Sequence, residues 1–316
     1  MFIKECGVER YEMIKQILCL CTLTTLVLAQ PALVELGRFG GTGAAAGFFA
    51  FPCAIDISGD GRLFICDRGN QRIQIFDLTG KFLVNIGGFG WSPEKFDQPL
   101  DIWARSTINI YVADYNNQRV QRFDKDLNFI GERVSNPADQ EKFQFREVLS
   151  TAYSSQGDLF ILDAGANKVI KFNNQDKGDA AFGYYESGSG ELTGPVQLEL
   201  SSIHRVIVSD ADARAIFIYD YFGTFLFRIE HPDFKAPRGI ALDRNNRIYV
   251  ADPQAKAIFE FAPSGKFINV YHTINGIPLS APSDLAIHET KDKTHFYIID
   301  GDEIVISEKG PVSPGE

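Results

Sequence analysis

Residues 33–40 read LVELGRFG, and residues 83–90 read LVNIGGFG, so both follow the pattern L-V-x-[L/I]-G-x-F-G. The second copy comes at the end of a longer unit, whereas the first stands near the start of the chain, before any such unit. A unit whose last segment comes first in the sequence can be completed only by segments from the other end of the chain. The two stretches therefore predict that the first and last parts of the chain meet in one structural unit.

An apolar strand that ends in aspartate recurs six times, at intervals of 42 to 49 residues. A second apolar strand precedes each copy and usually begins with proline, a third follows it, and a fourth comes after a turn in several copies. Turn sequences such as SGDG at 58–61 supply residues that tolerate positive φ. The regular recurrence of the aspartates favours an architectural role in capping turns over a ring of metal ligands. These aspartates are Asp67, Asp114, Asp163, Asp210, Asp252 and Asp300.

Four short strands repeated at this period are typical of a β-propeller, in which each repeat forms one blade. Six copies predict an all-β fold with six blades, and no segment after residue 29 has the pattern of an amphipathic helix. The sixth copy ends after its third strand, near residue 307. We therefore predict that the strand at 33–40 completes the last blade and closes the ring, which leaves no open sheet edge.

The third strands of the first two repeats resemble the NHL repeat. They read DRGNQRIQIFD from Asp67 and DYNNQRVQRFD from Asp114, and the family pattern is Asp-x-x-Asn-x-Arg-hydrophobic-x-x-Phe-Asp. Later copies are degenerate, but the resemblance covers nearly the whole chain from about Ala32 to Pro311 and implies a six-bladed propeller. NHL-type propellers include RNA-binding and partner-binding modules, extracellular sensor domains and a few enzymes such as the peptidyl-hydroxyglycine amidating lyases. The resemblance therefore leaves the function open.

The first 29 residues are typical of a secretory signal peptide, for which Met13 is an alternative start. An uncharged apolar run at 16–29 follows Lys15, and it is too short to span a bilayer comfortably. The alternative is an N-terminal anchor that is never cut. We predict a single exported domain over 30–316, secreted or periplasmic, without a membrane span once the leader is removed. The leader, the net charge of −10 and the lack of a RING-type Cys/His cluster disfavour RNA binding and ubiquitin-ligase association.

Polar residues stand near the start of the first strands, which line the central channel of a propeller. At the second position after proline or its equivalent, three repeats carry Asp101, Gln197 and Asp284, and Arg238 precedes that position in the fifth repeat. These four residues predict a ligand site at the channel mouth. No cofactor is predicted otherwise, although carboxylate and amide oxygens at the mouth would suit Ca²⁺. The alternative is that this position favours Gly or Asp as a strand start and that water fills the channel.

Histidines are absent from the starts of the first strands. A zinc lyase of the amidating type needs several histidines that converge on the channel, and none of the five in the chain is so placed. The chain also has no G-x-S-x-G or P-loop motif. The sequence therefore favours a binding or scaffold module over an enzyme. A metal-dependent hydrolase or lyase at the channel mouth is the alternative, with Asp101, Gln197 and Asp284 as ligands or acid–base groups.

Cys53 and Cys66 lie on consecutive strands of the first repeat. If the turn at 58–61 places Ile57 opposite Arg62, the two cysteines face each other, and an oxidising compartment would permit a disulfide. A register change of one residue removes this pairing and leaves two small buried residues. Both interpretations stay open at this point.

A long connection at 174–194 interrupts the regular period before the fourth repeat. It contains an aromatic patch of Phe182, Tyr184 and Tyr185 between glycines and serines. Exposed tyrosines on a loop of a rigid scaffold would suit a protein, peptide or glycan partner, so we predict a contact site here. The alternative is that this patch is the fourth strand of the third blade.

Overall fold

The computed structural model of the protein describes residues 32–185 and 188–310, and the predicted leader at 1–29 lies outside them. In these residues the chain forms 26 β-strands and three one-turn 3-10 helices, at Arg68–Asn70, Glu141–Phe143 and Gly188–Gly190. None of the described helices is long and apolar enough to cross a membrane. The strands account for almost all regular structure in this part of the chain, as the repeat pattern predicts.

Strand β1 (Leu33–Gly40) comes first, and five four-stranded antiparallel sheets follow it, each with its strands in chain order. Each sheet is one blade. Blades 1 to 3 consist of β2 (Pro52–Ile57), β3 (Arg62–Asp67), β4 (Arg72–Asp77) and β5 (Phe82–Gly87), then β6 (Pro99–Trp103), β7 (Ile110–Asp114), β8 (Arg119–Phe123) and β9 (Phe129–Val134), then β10 (Val148–Tyr153), β11 (Leu159–Asp163), β12 (Lys168–Phe172) and β13 (Gly178–Phe182). Blades 4 and 5 consist of β14 (Pro195–Leu200), β15 (Arg205–Asp210), β16 (Ala215–Asp220) and β17 (Phe225–Glu230), then β18 (Ile240–Leu242), β19 (Ile248–Asp252), β20 (Ala257–Phe261) and β21 (Phe267–Tyr271).

The sixth blade combines both ends of the described chain, which confirms the predicted ring closure. A hairpin of β22 (Thr273–Ile274) and β23 (Ile277–Pro278) comes first, and β24 (Pro282–Glu289), β25 (Thr294–Asp300) and β26 (Glu303–Lys309) then pair in order. β1 pairs with β26 through seven antiparallel residue pairs. The sequence did not predict the hairpin, which lies beside β1 through the pairing of Leu33 with Ile274.

The apolar core lies between neighbouring blades. The second strands β7 and β19, both IYVAD, are buried at every residue, whereas the outermost strand β9 alternates between half-buried and exposed side chains. A second strand is covered on both faces by adjacent blades, so it needs apolar side chains on both faces. Phe64 of blade 1 and Val112 of blade 2 accordingly belong to one buried cluster.

The recurring aspartates attach the connection that enters each blade to the second strand of that blade. Asp67 Oδ1 accepts the N–H of Ala50 at 2.8 Å, and Asp114 Oδ1 accepts that of Asp97 at 2.8 Å. The Oδ2 of Asp67 accepts a further hydrogen bond from Arg72 Nε at 2.7 Å. These bonds agree with the predicted architectural role, although the incoming connection, more than the following turn, supplies the donors.

A β-bulge interrupts the first strand of five blades one residue after it begins. A bulge adds an unpaired residue and turns its side chain away from the regular direction. In blade 1 the shift pairs Cys66 with Ala54, so Cys53 falls outside the pairing. The predicted register, in which the two cysteines face each other, is therefore wrong. Both cysteines are free thiols in the described chain. The residues left out of the pairing are Cys53, Leu100, Leu149, Val196 and Ser283.

Candidate functional site

A cavity of about 500 Å³ lies where the first strands begin. We call it the mouth cavity, and we call the face on which it opens the top face. This face carries the connections between blades and the turns between second and third strands. All six blades contribute to the wall. Three of the bulge residues, Leu100, Leu149 and Val196, form an apolar side of the cavity.

Three of the four predicted site residues form a hydrogen-bonded layer in the mouth cavity. We call Asp101, Gln197 and Asp284 the polar layer. Gln197 Nε2 donates to Asp101 Oδ1 and to Asp284 Oδ2, at 3.3 Å in each case. Ser150 Oγ donates to Asp101 Oδ2 at 2.6 Å. Arg238, the fourth predicted residue, lines the same cavity without joining the layer, so the structure brings all four together.

The polar layer also joins neighbouring blades, because each of its side chains accepts a backbone N–H from the next blade around the ring. Asp101 Oδ2 accepts from Thr151 at 3.1 Å, Gln197 Oε1 from Ile240 at 2.6 Å and Asp284 Oδ2 from Ile55 at 2.9 Å. Gly239, at the equivalent position of blade 5, lies so close to Asp284 that a Cβ would stand 2.3 Å from Asp284 Oδ1. Part of this layer is therefore architectural.

Burial raises the pKa of both acids in the polar layer. The pKa of Asp101 rises to about 6 because its carboxyl is desolvated, although the hydrogen bond from Ser150 opposes the rise. Desolvation raises the pKa of Asp284 too, and the charge of Asp101 adds to this effect. Asp284 Oδ1 is buried and has no hydrogen-bond partner among residues 32–185 and 188–310, a position that suits an uncharged carboxyl better than a carboxylate. Residues 32–185 and 188–310 contain no group of three His, Cys, Asp or Glu that could hold a metal, and the Ca²⁺ site stays a prediction.

Asp101 is expected to make the free energy of unfolding decrease as the pH rises from about 4 to about 6. In this window the unfolded chain releases the Asp101 proton while the folded protein keeps it, so folding takes up a proton and is disfavoured as protons become scarce. Asp101→Asn should remove up to about 3 kcal/mol of this pH dependence. Urea unfolding at several pH values measures it, with the exposed Asp126→Asn as a control. Parallel pH profiles for wild type and Asp101→Asn would contradict the assignment.

Two arginines at the mouth cavity have no partner in the described part of the chain. Arg68 stands on the turn between β3 and β4, Arg238 precedes β18, and neither guanidinium forms an ion pair or hydrogen bond there. The acid at the rim, Asp302, is instead held by Thr42 Oγ1 at 2.7 Å and by the N–H of Phe51 at 3.3 Å. The cavity therefore combines unpaired positive charge with an apolar side.

An ion-pair cluster closes the channel beneath the polar layer. We call Asp56, Arg105 and Glu199 the plug. Arg105 donates to both carboxylate oxygens of Glu199, at 2.6 and 2.7 Å, and to Asp56 Oδ1 at 3.1 Å. Only about 10 Å³ of free space lies between the plug and the polar layer, so the mouth cavity has a closed floor. The sequence did not predict the plug, although an acid inside each of the apolar strands PCAIDI and PVQLEL was a usable signal.

The predicted partner-binding patch divides into buried and exposed residues. Phe182 is the last residue of β13 and is 6% exposed, and the centroid of its ring lies 4.9 Å from that of Tyr219. Its assignment as a contact residue is therefore wrong. Its pairing with Val169 turns the side chain into the interface between blades 3 and 4. Tyr184 is half-buried, and Tyr185 is 79% exposed. The alternative interpretation, that the patch is the fourth strand of the third blade, is correct as far as Phe182, where β13 ends.

Comparisons with known proteins agree with this architecture. Residues 54–146 match a family described as a 6-bladed β-propeller. The chain is a six-bladed β-propeller. No curated protein matches it. A streptogramin B lyase structure superposes with a TM-score of 0.60 at 15% identity, over 92% of this chain and 91% of that chain.

Two further structures show how widely this fold is used. One is a catalytically inactive histidine-to-alanine variant of virginiamycin B lyase from Staphylococcus aureus with quinupristin (TM-score 0.56, 15% identity, covering 90% of this chain and 89% of that chain). The other is the WD40 β-propeller domain of Doa1 (TM-score 0.58, 12% identity, covering 83% of this chain and 79% of that chain). Identities this low carry the fold alone. The predicted number of blades is confirmed, and the NHL assignment stays a prediction.

Proposed function

We propose that this propeller is a binding module that holds an anionic ligand with an apolar group in the mouth cavity. The proposal rests on two guanidinium groups, those of Arg68 and Arg238, which have no partner among the described residues and stand at a cavity with a closed floor. Arg68 is half-buried and Arg238 is exposed. A half-buried charge in a folded protein is normally paired, so Arg68, with Arg238 at the same cavity, favours an anion from outside. Export, as the leader predicts, would place this cavity outside the cytoplasm.

The chemistry of the wall narrows the ligand class. A carboxylate would meet Arg238 and Arg68, and an apolar group would pack on Leu100, Leu149 and Val196. The polar layer offers acceptors and one amide, so an N–H or O–H on the ligand would find a partner there. A volume of about 500 Å³ suits a small molecule or the end of a peptide. An N-acyl amino acid with an apolar side chain has all of these features.

A hydrolase or lyase at the same cavity has less support. The Staphylococcus aureus lyase described above is inactive when one histidine is replaced by alanine, and no histidine lines the described mouth cavity. The acids present are held by backbone N–H groups of the adjacent blades, which favours a structural part for them. The binding function therefore accounts for more of the observed geometry.

N-acetyl-L-leucine is the probe that tests this function. We expect wild-type protein to bind it in isothermal titration calorimetry, and Arg238→Met to weaken binding at least about tenfold, because one charge-assisted hydrogen bond is lost. The uncharged N-acetyl-L-leucinamide should bind wild type more weakly by a similar factor. Arg238 is exposed and pairs with no residue that the structure describes, so its replacement is not expected to affect folding.

Arg228→Met is the matched control, because Arg228 is also an exposed arginine but lies on the outermost strand β17. It should bind N-acetyl-L-leucine as wild type does. Equal affinity of wild type and Arg238→Met for the acid, or equal affinity of wild type for the acid and the amide, would overturn the proposed function.

A further inference from the structure

The connection that enters blade 2 has the same scaffold as the connection that enters blade 1. In the connection that enters blade 2, Asn117 Nδ2 donates to the carbonyl of Gly90 at 2.9 Å. In the connection that enters blade 1, Asn70 Nδ2 donates to the carbonyl of Gly43 at 2.9 Å. Parallel bridges occur at matching places in the two connections, Phe89 with Phe96 and Thr42 with Phe49. Corresponding residues of the two connections are 47 positions apart in the sequence. Comparing the two copies therefore shows which side chains this scaffold needs.

Seven residues line a cavity in the blade 2 copy, and four of them differ from their counterparts in blade 1 by having larger side chains. The cavity has a volume of about 360 Å³ and lies on the top face, and we call it the Trp91 pocket. The blade 1 copy has the same backbone bonds without these side chains, so the scaffold does not require them. The substituted positions are Trp91 for Ala44, Asn116 for Gly69, Glu132 for Asn85 and Val134 for Gly87.

Trp91 is the most prominent of these residues. Its side chain is 78% exposed, and it has no aromatic neighbour in the described part of the chain. Only its backbone contributes to the scaffold, because its carbonyl accepts Arg119 Nη1 at 2.8 Å. A large, rigid aromatic group that the fold leaves in water is the kind of residue that supplies contact area for a ligand.

The charges of the Trp91 pocket cancel within the pocket. Glu132 pairs with Arg119 at 2.7 Å, and Arg119 also donates to Asp114 at 2.8 Å. A cationic ligand would have to compete with Arg119 for Glu132, and an anionic ligand would have to compete with two carboxylates for Arg119. The amides of Asn116 and Gln118 are exposed at the same pocket and offer both donors and acceptors. This composition suits an uncharged, hydroxyl-rich ligand.

We propose that the Trp91 pocket binds a neutral saccharide. The electron-rich indole face attracts the polarised C–H groups on one side of a pyranose ring. Asn116, Gln118 and Glu132 would then bond the hydroxyls at the rim of that ring. The volume fits one or two sugar units. This site is separate from the mouth cavity and does not depend on the function proposed for that cavity.

Ligand-observed NMR and calorimetry with cellobiose, maltose, lactose and chitobiose test the proposal. At least one of these sugars should bind wild type, and Trp91→Ala should weaken its binding at least about tenfold. Glu132→Gln should retain binding, because an amide still bonds hydroxyls. Arg238→Met should bind the sugar as wild type does, which separates this site from the mouth cavity. Ala44 shows that the scaffold accepts alanine at the position of Trp91, so Trp91→Ala is expected to fold.

Phe222→Ala is the control for losing an exposed aromatic residue, since Phe222 is 73% exposed on the turn between β16 and β17, away from the top face. It should bind the sugar as wild type does. No binding of any of the four sugars at about 20 mM, where a ligand of millimolar Kd is mostly bound, would overturn the proposal. Equal binding by Trp91→Ala, or preference for tetramethylammonium or acetate over every sugar, would overturn it as well.

Discussion

Replacing Arg105 by methionine is expected to lower the free energy of unfolding by about 3 kcal/mol at pH 8. Arg105 is the only cation of the plug described above, and the side chains of Glu199 and Asp56 are each 7% exposed. Methionine fills a similar volume but leaves both largely buried carboxylates without a counterion. Removing one partner of a buried ion pair is costly because the remaining charge has no compensation.

The size of this loss should depend on pH in one direction. Burial raises the pKa of Glu199, and the positive charge of Arg105 counteracts the rise. Without Arg105 the pKa of Glu199 in the folded protein moves further above its ordinary value of 4.5, so folding takes up a proton over a wider pH range. Stability of the variant therefore falls as the pH rises above about 4.5. The deficit against wild type should be smaller at pH 5 than at pH 8.

Urea unfolding of wild type and Arg105→Met at pH 5 and pH 8 measures both expectations. The double variant Arg105→Met, Glu199→Gln is the matched control, since it removes one of the stranded charges and should recover part of the loss at pH 8. A loss below about 0.5 kcal/mol, as for an exposed ion pair, would show that the plug does not behave as a buried cluster. So would a deficit that is the same at the two pH values.

Deleting residues 1–40 is expected to abolish the folded state. The deletion removes β1, which makes seven residue pairs with β26 and buries Leu33 at 1% exposure. It would also expose the edge of β26 and remove the strand beside which the hairpin of β22 and β23 lies. Domains of this kind are stable by about 5–15 kcal/mol, and the loss of a whole strand of the closing blade exceeds that margin.

A circular permutant separates this effect from simple shortening of the chain. The N–H of Gly310 donates to the carbonyl of Ala32 at 2.8 Å, so a short Gly-Ser linker can join the two residues as a hairpin. A permutant that runs from Gln156 through this linker to Ser155 begins and ends in the exposed turn between β10 and β11. It contains β1 and should fold, because the order of the chain does not matter once the ring is complete.

Circular dichroism and thermal unfolding of the deletion, the permutant and a chain of residues 32–310 provide the test. We expect cooperative unfolding for the chain of residues 32–310 and the permutant, and none for the deletion. A folded deletion variant would mean that five complete blades and a sixth blade without β1 are sufficient. A permutant that fails to fold while the chain of residues 32–310 folds would mean that closure needs the natural chain order.

Much of the fold could be predicted because each blade repeats the same local pattern. The strand at 33–40 was assigned to the last blade from its sequence alone, and β1 has those bounds. The aspartates were assigned to architecture because they recur at one position of every repeat, and Asp67 and Asp114 form equivalent hydrogen bonds. The hairpin of β22 and β23 could not be predicted in this way, because it occurs once.

The site was predicted in part, and the misses have physical causes. Asp101, Gln197, Arg238 and Asp284 were found because first strands line the channel in any propeller. The cysteine pairing failed because a bulge of one residue shifts every later pair, and nothing in the six residues of β2 reveals that shift. Phe182 was misassigned because its position in the sequence does not show which face of β13 the neighbouring blade covers.

The sequence by itself determined the four-stranded repeats, the number of blades and the closure of the ring, because strand periodicity and turn chemistry act between residues close together in the chain. Only the tertiary structure decided which side chains meet across the channel. The closed floor depends on Arg105 from blade 2 reaching Glu199 in blade 4, 94 residues away in the sequence. The unpaired state of Arg68 and Arg238 depends equally on where the acids of other blades lie. An ion pair needs its charged atoms within about 4 Å of each other, so pairing depends on positions in space that the order of residues does not contain.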